Sequence, residues 1–196
     1  MESQKHFFRL INNKLPGILD KSLQLDLLIT MNYQINDHIL LRFAEEKDTP
    51  LILEFIRGLA EYEHLLDTVK MTEADIKKYV FEKKMIEVVI GEYDGTPAGF
   101  ALFFYNFSTF AGKPGIFIED LFVKPEFRGK GLGKIFFSFL AKIAVERDCG
   151  WLEWLCLNWN KPSIEFYKKQ GAIARDEWVT YRITGDDINK LAEANL

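Results

Sequence analysis

The stretch IEDLFVKPEFRGKGLGKIFFSFLAKIA, residues 118–144, carries an apolar strand with two acidic residues into Lys124-Pro125-Glu126. Three glycines at alternate positions follow, Gly129, Gly131 and Gly133, and a helix begins at once. Its apolar face is Ile135, Phe136, Phe139, Leu140, Ile143 and Ala144, spaced three and four apart. Glycines at a helix start remove side chains where backbone amides must approach a ligand. The first helical turn adds N–H groups without intrahelical acceptors and the positive end of the helix dipole. The combination reads as a phosphate cradle, with Arg128, Lys130 and Lys134 supplying positive charge. A strand-to-helix turn that binds nothing is the other reading this spacing leaves open. Two common phosphate loops do not fit. The dinucleotide pattern G-x-G-x-x-G would need glycine where Lys134 stands, and the Walker pattern needs Ser or Thr where Ile135 stands.

With 196 residues, 48% hydrophobic and 14% aromatic, the chain is sized for one domain with a well-buried core. A net charge of −4 and a pI near 5.5 lack the basic excess that nucleic-acid binding requires. Cys149 and Cys156 form no CxxC pair and are too few for a disulfide framework, so no metal site is expected, and a reducing compartment, the cytoplasm, is. No apolar run has the length of a membrane span, and Asn, Lys, Pro and Asp break up the N-terminal residues where a signal peptide would be apolar.

Residues 1–37 share no pattern with the rest and are read as an extension, leaving 38–196 as the domain. ILLRFA, from Ile39, reads as a strand. Asp48-Thr49-Pro50 then caps a helix with an apolar face of Leu51, Ile52, Phe55, Ile56 and Leu59. Thr72 with Asp75 three residues on starts a second helix ending near Phe81. IEVVIGEY, the Asp94-Gly95 turn and PAGFALFFYNF form a hairpin, followed by a strand at 116–123. After the glycine-started helix come a strand WLEWLCL, a short helix entered at Asn160-Lys161-Pro162, a last strand EWVTYRIT and a terminal helix from Asp186. The sum is an α/β (α+β) chain: a mixed, mostly antiparallel sheet with helices on both faces.

EDLFVKPEFRGKGLGK resembles the coenzyme-A diphosphate loop of the GNAT acetyltransferase superfamily, a Q/R-x-x-G-x-G/A motif after a hydrophobic strand. LAEYEHLLDTV, FIEDLFV, NWNKPSIEFYKKQGA and the Glu-Trp before the last strand are similar to the diamine (spermidine/spermine) and thialysine N-acetyltransferases. The likeness spans roughly residues 39–193. It implies the GNAT fold, acetyl-CoA as cofactor, and acetyl transfer to a primary amine by direct attack in a ternary complex.

The resemblance also distributes roles. Arg128, Gly129, Lys130, Gly131, Leu132, Gly133 and Lys134 would hold the diphosphate, while the backbone of Leu121, Phe122 and Val123 pairs with the pantetheine arm. Asn160, Ser163 and Tyr167 would also touch the cofactor, with Tyr167 as general acid toward the departing thiolate. An alkylammonium must lose a proton before it attacks; Glu119 is implied as the base, directly or through water, and Asp120 as an ammonium contact. Neighbours on a strand face opposite sides, so a joint role needs a bulge or a strand end, and a polar strand edge is what the two residues alone suggest. Glu61, Tyr62, Glu63, Trp159, Glu177 and Trp178 would line the acceptor channel with acidic and aromatic groups. Where the polyamine enzymes carry an acid and a tryptophan before the catalytic strand, this chain has Ser108 and Phe110, which favours a lysine-like amine such as thialysine over spermidine. A homodimer through EWVTYRIT is implied as well. A non-catalytic coenzyme-A-binding module and an acetyltransferase for protein amines remain the alternatives.

Overall fold

In EVVIGEY (β3, Glu87–Tyr93) and TPAGFALFFYNFS (β4, Thr96–Ser108), alternate side chains are buried on two different faces, so this hairpin has protein above and below it. The computed structural model of the chain describes residues 32–194. Residues 1–31 of the N-terminal extension lie outside them. The chain divides into two units, one ending at Leu155 and the other beginning at Cys156.

The first unit is built on a six-stranded sheet in the order β1 (Asn32–Gln34), β2 (Ile39–Phe43), β3, β4, β5 (Lys113–Val123) and β6 (Leu152–Trp154). Every pair is antiparallel except β5 with β6. Val88, Ile90, Phe100, Leu102 and Phe122 face α1 (Thr49–Tyr62), where they meet Ile52, Leu53 and Phe55 together with Ile76 and Val80. Phe55 stacks on Phe100 with ring centres 5.3 Å apart. The opposite face takes α3 (Leu132–Glu146): Phe139 meets Tyr33 and Phe43, and Phe137 meets Trp154 edge-on at 4.8 Å. Truncating a fully buried Phe55, Phe100 or Phe136 to alanine would cost about 3–5 kcal/mol. Gly58 lets α1 sit down on β5, since a Cβ there would lie 2.9 Å from the tip of the Phe122 ring.

Thr72 and Asp75 form the expected reciprocal cap at the start of α2 (Glu73–Ile76), which continues as a π-helical stretch, Lys77–Glu82. Asp48, expected to cap α1, instead accepts from both terminal guanidinium nitrogens of Arg42, at 2.6 and 2.9 Å, because a buried carboxylate needs a charged partner more than a helix end needs a cap. The second unit holds α4 (Lys161–Lys169) and α5 (Asp186–Glu193).

Three departures concern strands. β1 falls within residues 1–37, three residues too short to carry a pattern. WLEWLCL pairs only over Leu152–Trp154. EWVTYRIT forms no strand: its apolar and polar alternation suits one, but among the described residues the second unit has no strand to complete a ladder, and Trp178, Val179, Tyr181 and Ile183 are exposed.

Candidate active site

The residues of interest in the first unit gather where β5 ends. Leu102 of β4 pairs with Asp120, but the next residue, Phe103, pairs with Ile118, so Glu119 is an extra residue in the ladder. This is the bulge that two adjacent carboxylates require if they are to share a site, and it was not visible in the sequence. Glu119 is exposed while Asp120 is half-buried. Burial, followed by the charges of Glu119 and then Glu63, pushes the Asp120 carboxyl up to about 7. Glu63 caps the C-terminal end of α1, and burial raises its carboxyl too. Three carboxylates from two elements thus share one field, at the floor of which Asp120 resists ionisation.

The strand edge follows from the same register. Lys124 N–H donates to the Ala98 carbonyl at 2.9 Å, so Lys124 and Phe122 turn their peptide groups toward β4. Leu121 and Val123 turn theirs to the other edge, and the ladder to β6 covers only Ile116–Ile118. Leu121 and Val123 therefore fit the pantetheine arm. Phe122 does not: its backbone pairs with β4, and its ring, 7% exposed, packs under α1.

Past Val123 the chain turns through Pro125–Phe127 into the glycines. Gly129 and Gly131 have φ of +75° and +89°, and nothing lies within 4 Å of where their Cβ atoms would be. Gly131 is the N-cap of α3, and the first helical bond comes from Ile135 N–H to its carbonyl at 3.1 Å. The N–H groups of Leu132, Gly133 and Lys134 precede that bond and have no acceptor in the helix, which suits an anion such as a diphosphate. Lys134 is exposed beside them. The ammonium of Lys130 instead lies 4.4 Å from the centre of the Tyr93 ring and 5.0 Å from that of Phe127. Arg128 donates from Nε to the Val123 carbonyl and stacks on Tyr62. Glu61 is exposed at the end of α1.

In the second unit, Asn160 is 5% exposed and its side-chain oxygen accepts the Ser163 N–H at 3.3 Å, capping α4. Tyr167 is half-buried on that helix, its ring 5.6 Å from Phe166, and Trp159 is exposed. Glu177 is bound to Arg175 at 2.6 Å, which holds its carboxyl below the usual range, and the same arginine lies over Trp178.

Ser108 and Phe110 occupy the β4–β5 hairpin tip. Ser108 pairs with Lys113 and Leu102 with Asp120, so the tip lies six β4 residues, roughly 20 Å, from Asp120. Phe110 is 98% exposed there. Within one chain, the two substitutions read as bearing on acceptor choice do not border the carboxylates.

Residues 52–172 match the family model described as "Acetyltransferase (GNAT) family". The chain belongs to the GNAT acetyltransferases. This GNAT enzyme is 34% identical over 166 residues to thialysine N-epsilon-acetyltransferase of Bos taurus, covering 79% of this chain and 97% of that one. It is 40% identical over 103 residues to L-ornithine N5-acetyltransferase NATA1 of Arabidopsis thaliana, covering 53% and 45%. Among solved structures, the integron cassette protein VCH_CASS6 from the mobile metagenome of V.cholerae superposes with a TM-score of 0.67 at 28% identity, over 81% of this chain and 99% of that one. The sheet with helices on both faces and the glycine loop after β5 are thus the GNAT fold. Among the described residues, no helix is long and apolar enough to cross a membrane.

Proposed function

We propose that this enzyme transfers the acetyl group of acetyl-CoA to the primary amine of a small cationic acceptor, a lysine analogue such as thialysine or a diamine, within a ternary complex. The observation that carries the reading is the bulge at Glu119, which sets a half-buried Asp120 in the field of Glu119 and of Glu63 from the end of α1, on the strand that feeds the glycine loop. The named relatives act, by their names, on thialysine and ornithine, which are short amines.

Acetyl-CoA supplies the acetyl group as an activated thioester. The amides at the start of α3 hold the diphosphate, and the outward peptide edges of Leu121 and Val123 align the pantetheine arm. Asn160 and Ser163 keep the cofactor contacts the resemblance implies. An alkylammonium, with an ordinary pKa near ~10.4, must give up a proton to attack. We assign that proton to Asp120 rather than to Glu119. Asp120 is the less exposed of the pair, and a carboxyl at about 7 is matched to proton transfer near neutral pH. Glu119, Glu63, Glu61 and Tyr62 then hold the cation. Tyr167 donates its O–H proton to the departing thiolate, and Trp159, Glu177 and Trp178 retain their acceptor-side roles.

The apolar side chains exposed along 177–184 support a homodimer in which this segment pairs across a two-fold axis; light scattering at twice the 22.8 kDa of one chain checks it. The two free cysteines, Cys149 and Cys156, agree with a cytoplasmic setting. An amine panel with acetyl-CoA, read by thiol release, tests the activity: turnover of thialysine or a diamine is expected, and silence with every small amine would sink it.

A further inference from the structure

The face of the sheet that α1 covers continues past the carboxylates. Leu102 packs under α1, so Phe104 and Asn106, further along β4, stand on the same face. Their ladder partners on β5 share it: Asp120 opposite Leu102, Phe117 opposite Phe104 and Gly115 opposite Asn106. From β6 comes Glu153, opposite Phe117. The Phe104 and Phe117 rings stack with centres 5.0 Å apart, and both are half-buried. Beyond them the Trp151 indole donates from Nε1 to Asn106 Oδ1 at 3.2 Å, and Asn106 donates from Nδ2 to Glu153 Oε2 at 2.8 Å. An indole N–H only donates, so it fixes which way the amide points and aims the amide N–H at the carboxylate. Trp151 in turn lies flush on the β5 backbone, where a Cβ at Gly115 would run into its ring. Glu153 is thus held half-buried, two ladder steps along and one strand across from Asp120, roughly 8 Å away, with an aromatic floor between them. A carboxylate has about four acceptor positions, so the bond from Asn106 leaves room for a cation.

We propose that Glu153 binds a second ammonium of the acceptor: the preferred amine is a diammonium chain laid over Phe104 and Phe117, with its reacting nitrogen at Asp120 and its other nitrogen at Glu153. The inference rests on the acetyltransferase reading above and narrows its acceptor. Two nitrogens separated by five chain atoms, as in cadaverine or thialysine, span roughly 7–8 Å when extended, which matches the separation of the two carboxylate positions. The ring faces beneath suit both the methylenes and the flanking positive charge.

The test uses the full chain with acetyl-CoA and two probe amines, cadaverine and pentylamine, which have the same length and differ by one nitrogen. The ratio of their kcat/KM values cancels any difference in the fraction of active protein, so partial misfolding of a variant does not move it. In the wild type cadaverine is favoured about tenfold or more. In Glu153→Gln the two amines come within about twofold, the statistical factor for two reactive nitrogens. A wild type that turns over both amines alike, or a ratio that survives in Glu153→Gln, overturns the subsite and leaves the acetyltransferase reading standing. Calorimetry reads the same contact without turnover: the wild type binds cadaverine about tenfold more tightly than pentylamine, and Glu153→Gln does not. If that preference holds while the wild type acetylates no amine, the acetyltransferase reading falls and the Glu153 subsite stands.

Discussion

The glycine loop and the carboxylate bulge lie at the same end of β5, and they encode function differently. At the loop, the working groups are main-chain amides, and the sequence shows them by what it omits: side chains at Gly129 and Gly131, where φ is positive. At the bulge, the working group is a side chain whose property comes from surroundings. Asp120 is an ordinary aspartate until one extra residue turns it inward beside Glu119 and Glu63. A site made of backbone is thus fixed by local conformation, and a site made of tuned side chains by register and burial.

The sharpest way to break this contrast is Asp120→Asn. It keeps shape and removes the proton acceptor, so kcat/KM should fall about 10²–10⁴-fold with coenzyme A affinity unchanged. The wild-type profile should rise with pH and level off above about 7, as Asp120 ionises. A near-normal rate in Asp120→Asn would return the base to Glu119.

On the loop side, Gly131→Val should weaken coenzyme A by about a hundredfold in calorimetry, by strained φ and by a side chain beside the helix amides. Gly112→Val is the control. Gly112 also has positive φ and open space, but on the distant hairpin tip, and its variant should bind coenzyme A normally. Tyr167→Phe should lower kcat about tenfold and leave coenzyme A affinity alone, since only a proton donor is lost.

Stability gives a smaller effect of definite sign. Asp120 binds its proton more tightly when folded than when unfolded, so its contribution is full below about 3.8 and is lost as pH rises through about 7. Asp120→Asn should therefore gain about 1–3 kcal/mol over wild type at pH 8 and nothing near pH 4, as read by denaturant titration. Smallest are the neighbours. Glu119→Gln and Glu63→Gln each remove a negative charge, so each should shift the acid limb of the rate to lower pH by less than about one unit, Glu119 more than Glu63.

Most of the fold was legible in apolar periodicity, because α1, α3 and β3 to β5 each bury a patterned face. β1 was not, since three residues carry no period, and 177–184 misled because alternation records a preference for pairing without supplying the partner. In the site, the loop glycines and the outward edges of Leu121 and Val123 followed from spacing and resemblance. The inward turn of Phe122 and the half-burial of Asp120 follow a one-residue slip in register, which leaves no trace in composition.

Gly58 gives α1 the character of a lever. With 2.9 Å between a would-be Cβ and the Phe122 ring, a single methyl at position 58 must push the helix or the ring aside. Tyr62 and Glu63 ride on the far end of that helix, four and five residues on, and Phe122 is one of the rings under Arg128. A substitution that touches no substrate would so re-aim the acceptor wall, and a lineage could drift from one amine to another through a residue that never meets either.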